Sequence, residues 1–159
     1  MGTTMNAAGE IKIDNRTWHN VLRGVLRANE IRLAAYVPDN VLKPLLTDLH
    51  DDPFFDAFPV TREEEGLGIV SGAWMGGMRG VLLMQTSGFA TLPNVLASLA
   101  AAFRIPVLMI VSERGTLGEF NYGQALVCKT MRPVLDSLPS GLTPAPGPNA
   151  LNFSPVERT

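Results

Sequence analysis

Residues Gly80–Gln85 form an apolar run that stays unbroken until its last member, and Pro106–Ser112 form a second. A strand with one wet face alternates apolar and polar residues. A strand that is apolar throughout is covered on both faces, as in a parallel sheet flanked by helices. The segments around these runs agree. Apolar positions Trp18, Val21, Leu22, Val25 and Leu26 follow Asp14 and Asn15 at helical spacing. Ile31–Tyr36 reads as a strand that Pro38 ends. Asp39 can cap a helix whose face carries Val41, Leu42, Leu45, Leu46 and Leu49. A strand over Phe55–Thr61, a helix from Thr61 to about Met78 and a helix over Thr91–Phe103 continue the alternation. Two helical pieces, Tyr122–Thr130 and Arg132–Leu138, close it, with Pro133 in the first turn of the second. The expected fold class is α/β, a three-layer parallel sheet with helices on both faces.

The chain has 159 residues, enough for one domain. We expect a flexible N-terminus over 1–14, a folded domain over 15–140 and a C-terminal tail over 141–159. The region from Pro139 onward also holds Pro144, Pro146, Pro148 and Pro155 and little periodicity, so the tail reads as an arm that lies on a partner. A net charge of -2 offers no cationic field for nucleic acid. Cys128, the single cysteine, excludes an internal disulfide or a cysteine-cluster metal site and fits a reducing, cytoplasmic setting. The N-terminus lacks the basic-then-apolar pattern of a signal peptide. The apolar stretches, interrupted at Arg104 and Pro106, are too short to span a bilayer.

Parallel α/β sheets bind ligands beyond the carboxyl ends of their strands, which directs attention to Val37–Asn40, Thr61–Glu65, Gln85–Asn94 and Ser112–Asn121. In Thr61-Arg62-Glu63-Glu64-Glu65, Thr61 and Glu64 have capping-box spacing, and acids in a first helical turn offset exposed backbone amides. Capping does not need all three acids, so one is available to a cleft. Gln85-Thr86-Ser87-Gly88, with Asn94 nearby, is either a tight turn that needs its glycine or a polar loop that presents backbone amides to a ligand. Gly66, Gly68 and Gly72 lack dinucleotide-loop spacing and point to close helix–sheet packing. Arg114 has the chemistry for bidentate recognition of a sulfonate, phosphonate or carboxylate, yet most surface arginines have no such role. His19 and His50 lack a second ligand at metal spacing and read as surface or packing residues. There is no Walker lysine motif, nucleophile elbow or HExxH, and a catalytic domain working alone would show more.

Taken in order, the run from Thr61 to Gly115 resembles the pyrimidine-binding domain of the sulfopyruvate and phosphonopyruvate decarboxylase family of thiamine-diphosphate enzymes, in particular its alpha subunit. Glu63 and Gly72, with Trp74 beyond, match the family's helix-opening Glu and later Gly. Met84, Gln85, Ser87, Gly88 and Asn94 match its strand-end loop, and Ser112, Arg114 and Gly115 its last strand end. Val37-Pro38-Asp39, with Leu42-Lys43, resembles its substrate-side loop. The resemblance runs from about Trp18 to Leu138. Thr86 stands where Asn is usual, Ala90 where Gly is usual, and the Thr116–Asn121 loop differs.

The resemblance implies a thiamine-diphosphate-binding fold and a carboxy-lyase that turns a short anionic 2-oxo acid, sulfopyruvate before phosphonopyruvate, into an aldehyde and CO2. It makes Glu63 catalytic, touching the cofactor's aminopyrimidine. It gives Gln85, Ser87, Gly88 and Asn94 to the cofactor and Asp39 and Arg114 to the substrate. The family's Gly-Asp-Gly metal stretch is absent here. A beta subunit carrying the diphosphate and Mg2+ domain is therefore the expected partner, with further self-association and no metal ligand in this chain. Two other readings stay open, a non-catalytic binding module of the same fold and a flavodoxin-like domain holding a phosphate ligand on Gln85–Asn94.

Overall fold

The four-stranded sheet is built around β5 (Arg79–Gln85), in which Val81, Leu82, Leu83 and Met84 are all fully buried. The structure, a computed structural model, describes residues 2–5, 11–14 and 17–138. β5 pairs in parallel with β3 (Ile31–Tyr36) on one side and β6 (Leu108–Ser112) on the other. β3 pairs in parallel with β4 (Asp56–Pro59), giving the order β4-β3-β5-β6. Period-two alternation sends the side chains of β5 to two different cores. Val81 and Leu83 pack with Ala34, Tyr36 and the helices α1 (Trp18–Ala28) and α2 (Lys43–Asp51). Leu82 and Met84 pack on the opposite face with Leu67 and Val70 of α3 (Glu63–Met75), and with Met131 and Leu135 of the last helix. Burying a leucine on each face stabilises the strand by about 1.5–3 kcal/mol per side chain. The result is the expected three-layer α/β arrangement.

Several elements differ locally from the sequence reading. A short helical turn, α4 (Thr86–Phe89), follows β5 directly. The helix expected over Thr91–Phe103 is α5 (Pro93–Val95) running into a π-helical stretch, Leu96–Ala101. Leu96 and Ala100 of this stretch, and Leu92 ahead of it, lie in the core. The two C-terminal pieces are one helix, α6 (Tyr122–Ser137), with Pro133 inside it. Burial of Met131 and Leu135 on either side of Pro133 holds the helix together despite the lost backbone donor.

Where a flexible N-terminus is expected, β1 (Gly2–Met5) and β2 (Ile11–Asp14) pair as an antiparallel ladder. The apolar-polar alternation of Ile11-Lys12-Ile13-Asp14 is a strand pattern that the sequence reading passed over. The Pro-rich tail over 141–159 lies outside the described residues. Among the described residues, no helix is long and apolar enough to cross a membrane.

The sheet order also fixes where a ligand fits. β3 leads outward through α2 to β4, and β5 leads the other way, through α4 and α5, to β6. Their connections diverge, so a crevice opens beyond the carboxyl ends of β3 and β5.

Candidate active site

The three acids after Thr61 divide into two that are locally engaged and one that is not. The Thr61 N–H donates to Glu65 Oε2 at 2.8 Å, so the helix start is closed by Glu65 and not by the expected Thr61–Glu64 pair. Glu64 is taken by Arg62, whose Nη2 donates to its Oε1 at 3.1 Å and whose hydrogen bond holds that carboxyl below its usual range. The cause is Arg62 at the cap position, which has no oxygen with which to cap the helix itself. Glu63 opens α3, is half-buried and has no hydrogen-bond partner among the described residues. Its side chain lies over Gly88 of α4: a Cβ built there would fall 2.7 Å from Glu63 Cγ and inside its carboxyl group. Gly88 is needed for this close approach, where its α-carbon meets the acid.

A second group is tied together across the strand ends. Thr86, fully buried, donates its hydroxyl to the Ser112 carbonyl at 3.2 Å and accepts the Arg114 N–H at 2.8 Å. The Ser112 hydroxyl donates to Asp39 Oδ1 at 3.0 Å. The same Asp39 oxygen accepts the N–H groups of Val41, at 2.9 Å, and Leu42, at 3.1 Å. Asp39 thus closes the turn that precedes α2, whose own cap position is Leu42 and not the expected Asp39, and it also reaches across to the end of β6.

Arg114 is held by Glu119. Its Nε donates to Oε2 at 2.8 Å and its Nη2 to Oε1 at 3.2 Å. The Glu119 carboxylate also accepts backbone N–H groups from Asn121 and Gly115. Arg114's hydrogen bond first, then the Asn121 N–H, pull the Glu119 pKa down to about 2. A guanidinium has five N–H donors, so this pair leaves others open.

Asp39, Gln85 and Arg114 line one open cleft of about 600 Å³ at the crevice between β3 and β5. Three of the residues singled out in the sequence therefore meet there, while Glu63 and Gly88 meet each other on the α3 side. Ser87 is half-buried in the same short turn as Gly88, and Asn94 is exposed on α5.

Sequence reasoning missed Thr86, Ser112 and Glu119 as parts of this arrangement. His50, read as a surface or packing residue, is exposed and packs edge-on against Tyr36, and its Nε2 pairs with the Tyr36 hydroxyl at 2.7 Å on the wall of the cleft. The available signal for Thr86 was a hydroxyl directly after a strand buried on both faces, where it must find partners. Of the three glycines read as packing residues, only Gly66 packs: Gly68 and Gly72 have open space where a side chain would go. Among the described residues, no cluster of three His, Cys, Asp or Glu side chains forms a metal cage.

This chain is similar to proteins named sulfopyruvate decarboxylase and phosphonopyruvate decarboxylase. The matches include sulfopyruvate decarboxylase subunit alpha of Methanothermobacter thermautotrophicus, 48% identical over 94 residues, which is 59% of this chain and 57% of the relative. The same subunit of Methanococcus maripaludis is 47% identical over 83 residues, 52% of this chain and 50% of the relative. Phosphonopyruvate decarboxylase of Streptomyces viridochromogenes is 37% identical over 89 residues, 56% of this chain and 22% of the relative. The chain thus spans about half the length of the alpha subunits it matches. No protein-family model matches it.

Proposed function

We propose that this chain is the pyrimidine-binding subunit of a thiamine-diphosphate-dependent decarboxylase acting on a short anionic 2-oxo acid, with sulfopyruvate favoured. The observation that carries the reading is Glu63, the one acid of its cluster without a hydrogen-bond partner among the described residues, seated over a glycine that has no side chain to displace it. A carboxyl free to bond outward, above a backbone that leaves room, fits the edge of an aminopyrimidine. Thiamine diphosphate, when bound, supplies the carbanion-stabilising chemistry that decarboxylation needs.

In this reading Glu63 holds a proton at the pyrimidine ring nitrogen, through a hydrogen bond to a charged group worth about 1.5–3 kcal/mol. Gly88 and its neighbour Ser87 meet the cofactor beside Glu63 in this proposal, Gln85 meets it from the cleft, and Asn94 lies further along the chain. Arg114 turns its remaining donors to the anionic end of the substrate, and Asp39 faces it across the cleft. The 2-oxo acid loses its carboxylate as CO2 and takes up a proton to become an aldehyde.

The diphosphate and Mg2+ require oxygen ligands that the described residues do not gather. A beta subunit provides them in this proposal, and the cofactor lies between the two chains, which associate further. The alpha-subunit names of the relatives support a partner of that kind. A cytoplasmic location accords with the free thiol of Cys128. Phosphonopyruvate is the second substrate, supported by the phosphonopyruvate decarboxylase match. The test is co-expression with the partner chain and measurement of CO2 release from sulfopyruvate, phosphonopyruvate and pyruvate in parallel. Release from sulfopyruvate that depends on both chains and on thiamine diphosphate is the expected result. Absence of release from all three overturns the proposal.

A further inference from the structure

We infer that Thr86 and Ser112 are positioning residues that set the anion site of the cleft, by fixing Arg114 and Asp39 relative to each other. The inference rests on the reading of the cleft as a substrate site. Thr86 and Ser112 are two of only three buried polar side chains in the described domain, the third being Ser71 of α3. Both spend their hydroxyls on connections between strand ends, outside the sheet ladder. The path runs from the Arg114 N–H to Thr86 Oγ1, from the Thr86 hydroxyl to the Ser112 carbonyl, and from the Ser112 hydroxyl to Asp39 Oδ1. It joins three loops, those after β3, β5 and β6, which no ladder bond ties together past Gln85 and Ser112.

Thr86 and Ser112 are buried and their hydroxyls bridge half-buried groups on other loops, so removing either hydroxyl leaves a neighbour short of a partner and loosens a loop. Arg114 receives its side-chain orientation from Glu119 and its backbone position from Thr86. Asp39 receives its position from Ser112 and from the turn into α2. Thr86 is also a place where the chain departs from the Asn of the family it resembles. An Asn there would present an amide of different reach, so the spacing of Arg114 and Asp39 belongs to this chain.

The test is an NMR titration of the 15N-labelled full chain with sulfoacetate, a short dianion without a reactive carbonyl. It follows the Arg114 side-chain Nε–H in wild type, T86V, T86S and S112A. Thr86→Val keeps the shape and removes the hydroxyl, Thr86→Ser keeps the hydroxyl, and Ser112→Ala removes only the link to Asp39. Binding by T86V and S112A is expected to weaken about tenfold, as loss of a buried hydrogen bond dictates, with T86S staying close to wild type. A T86V/S112A double variant no weaker than the worse single variant is expected, because the two act on one path. Equal affinity in all four chains overturns the inference. So does a wild type that does not bind, since there is then no anion site to set. Weaker binding by T86V and S112A in a complex that decarboxylates nothing upholds the inference and removes only the proposed reaction. Should T86V fail to fold, S112A decides by itself, because its backbone carbonyl still pairs with Thr86.

Discussion

The carboxyl group of Glu63 rests on the α-carbon of Gly88, in the space a side chain at that position would fill. Gly88→Ala would therefore push Glu63 out of its seat. We predict that G88A in the assembled complex loses thiamine diphosphate affinity by at least the one to two decades that about 1.5–3 kcal/mol represents. Isothermal calorimetry with the partner chain and Mg2+ measures this. Circular dichroism of G88A should match wild type, since the displaced side chain is half-buried and α3 remains capped by Glu65.

Glu119 gives a pH signature. Its carboxyl has a folded pKa of about 2, below its ordinary value of 4.5, because Arg114 and two backbone N–H groups favour the charged form. A depressed folded pKa contributes stability above the unfolded value and loses it as pH falls toward the folded value. The wild type should therefore lose stability relative to E119Q between about pH 4.5 and pH 2, with a constant difference between them above pH 5. Thermal melting of both chains across pH 2–8 checks this. A difference that changes between pH 6 and pH 8 would contradict it.

Gly66, Gly68 and Gly72 separate packing from chance spacing. A Cβ at Gly66 would fall 2.5 Å from Leu82 Cδ1 and 3.2 Å from Val60 Cγ2, and Leu82 is fully buried. Gly66→Ala should cost about 1–3 kcal/mol by overpacking the face between α3 and β5. Gly68→Ala and Gly72→Ala meet nothing within 4 Å. Both positions lie inside a helix, so each substitution should stabilise by about 0.5–1 kcal/mol. Urea unfolding of the three variants reads all of this in one series.

Much of the fold was legible because burial leaves a period in the sequence. The apolar runs ending at Gln85 and Ser112 are strands between two helical layers, and Leu42, Leu45, Leu46 and Leu49 face the core as their spacing implies, while Val41 of the same expected face is exposed. The parts that were not legible are those where tertiary packing outvotes local preference. Pro133 reads as a helix start, yet α6 runs through it because Met131 and Leu135 are buried on both sides. The run Thr91–Phe103 has the length of a helix but no residue that announces a π-helical turn. In the site, Glu63, Gly88, Asp39 and Arg114 stood out by residue type and position. The linking role of Thr86 and Ser112 did not, because a hydroxyl's partners depend on which strand ends become neighbours, and that is set by the order β4-β3-β5-β6.

The most direct test is the rate of CO2 release from sulfopyruvate by the two-chain complex at saturating thiamine diphosphate and Mg2+, comparing wild type with E63Q. A fall in kcat of about a hundredfold or more is expected, the range in which a positioned acid–base group operates, with the complex still assembled. Turnover by E63Q within twofold of wild type would contradict it.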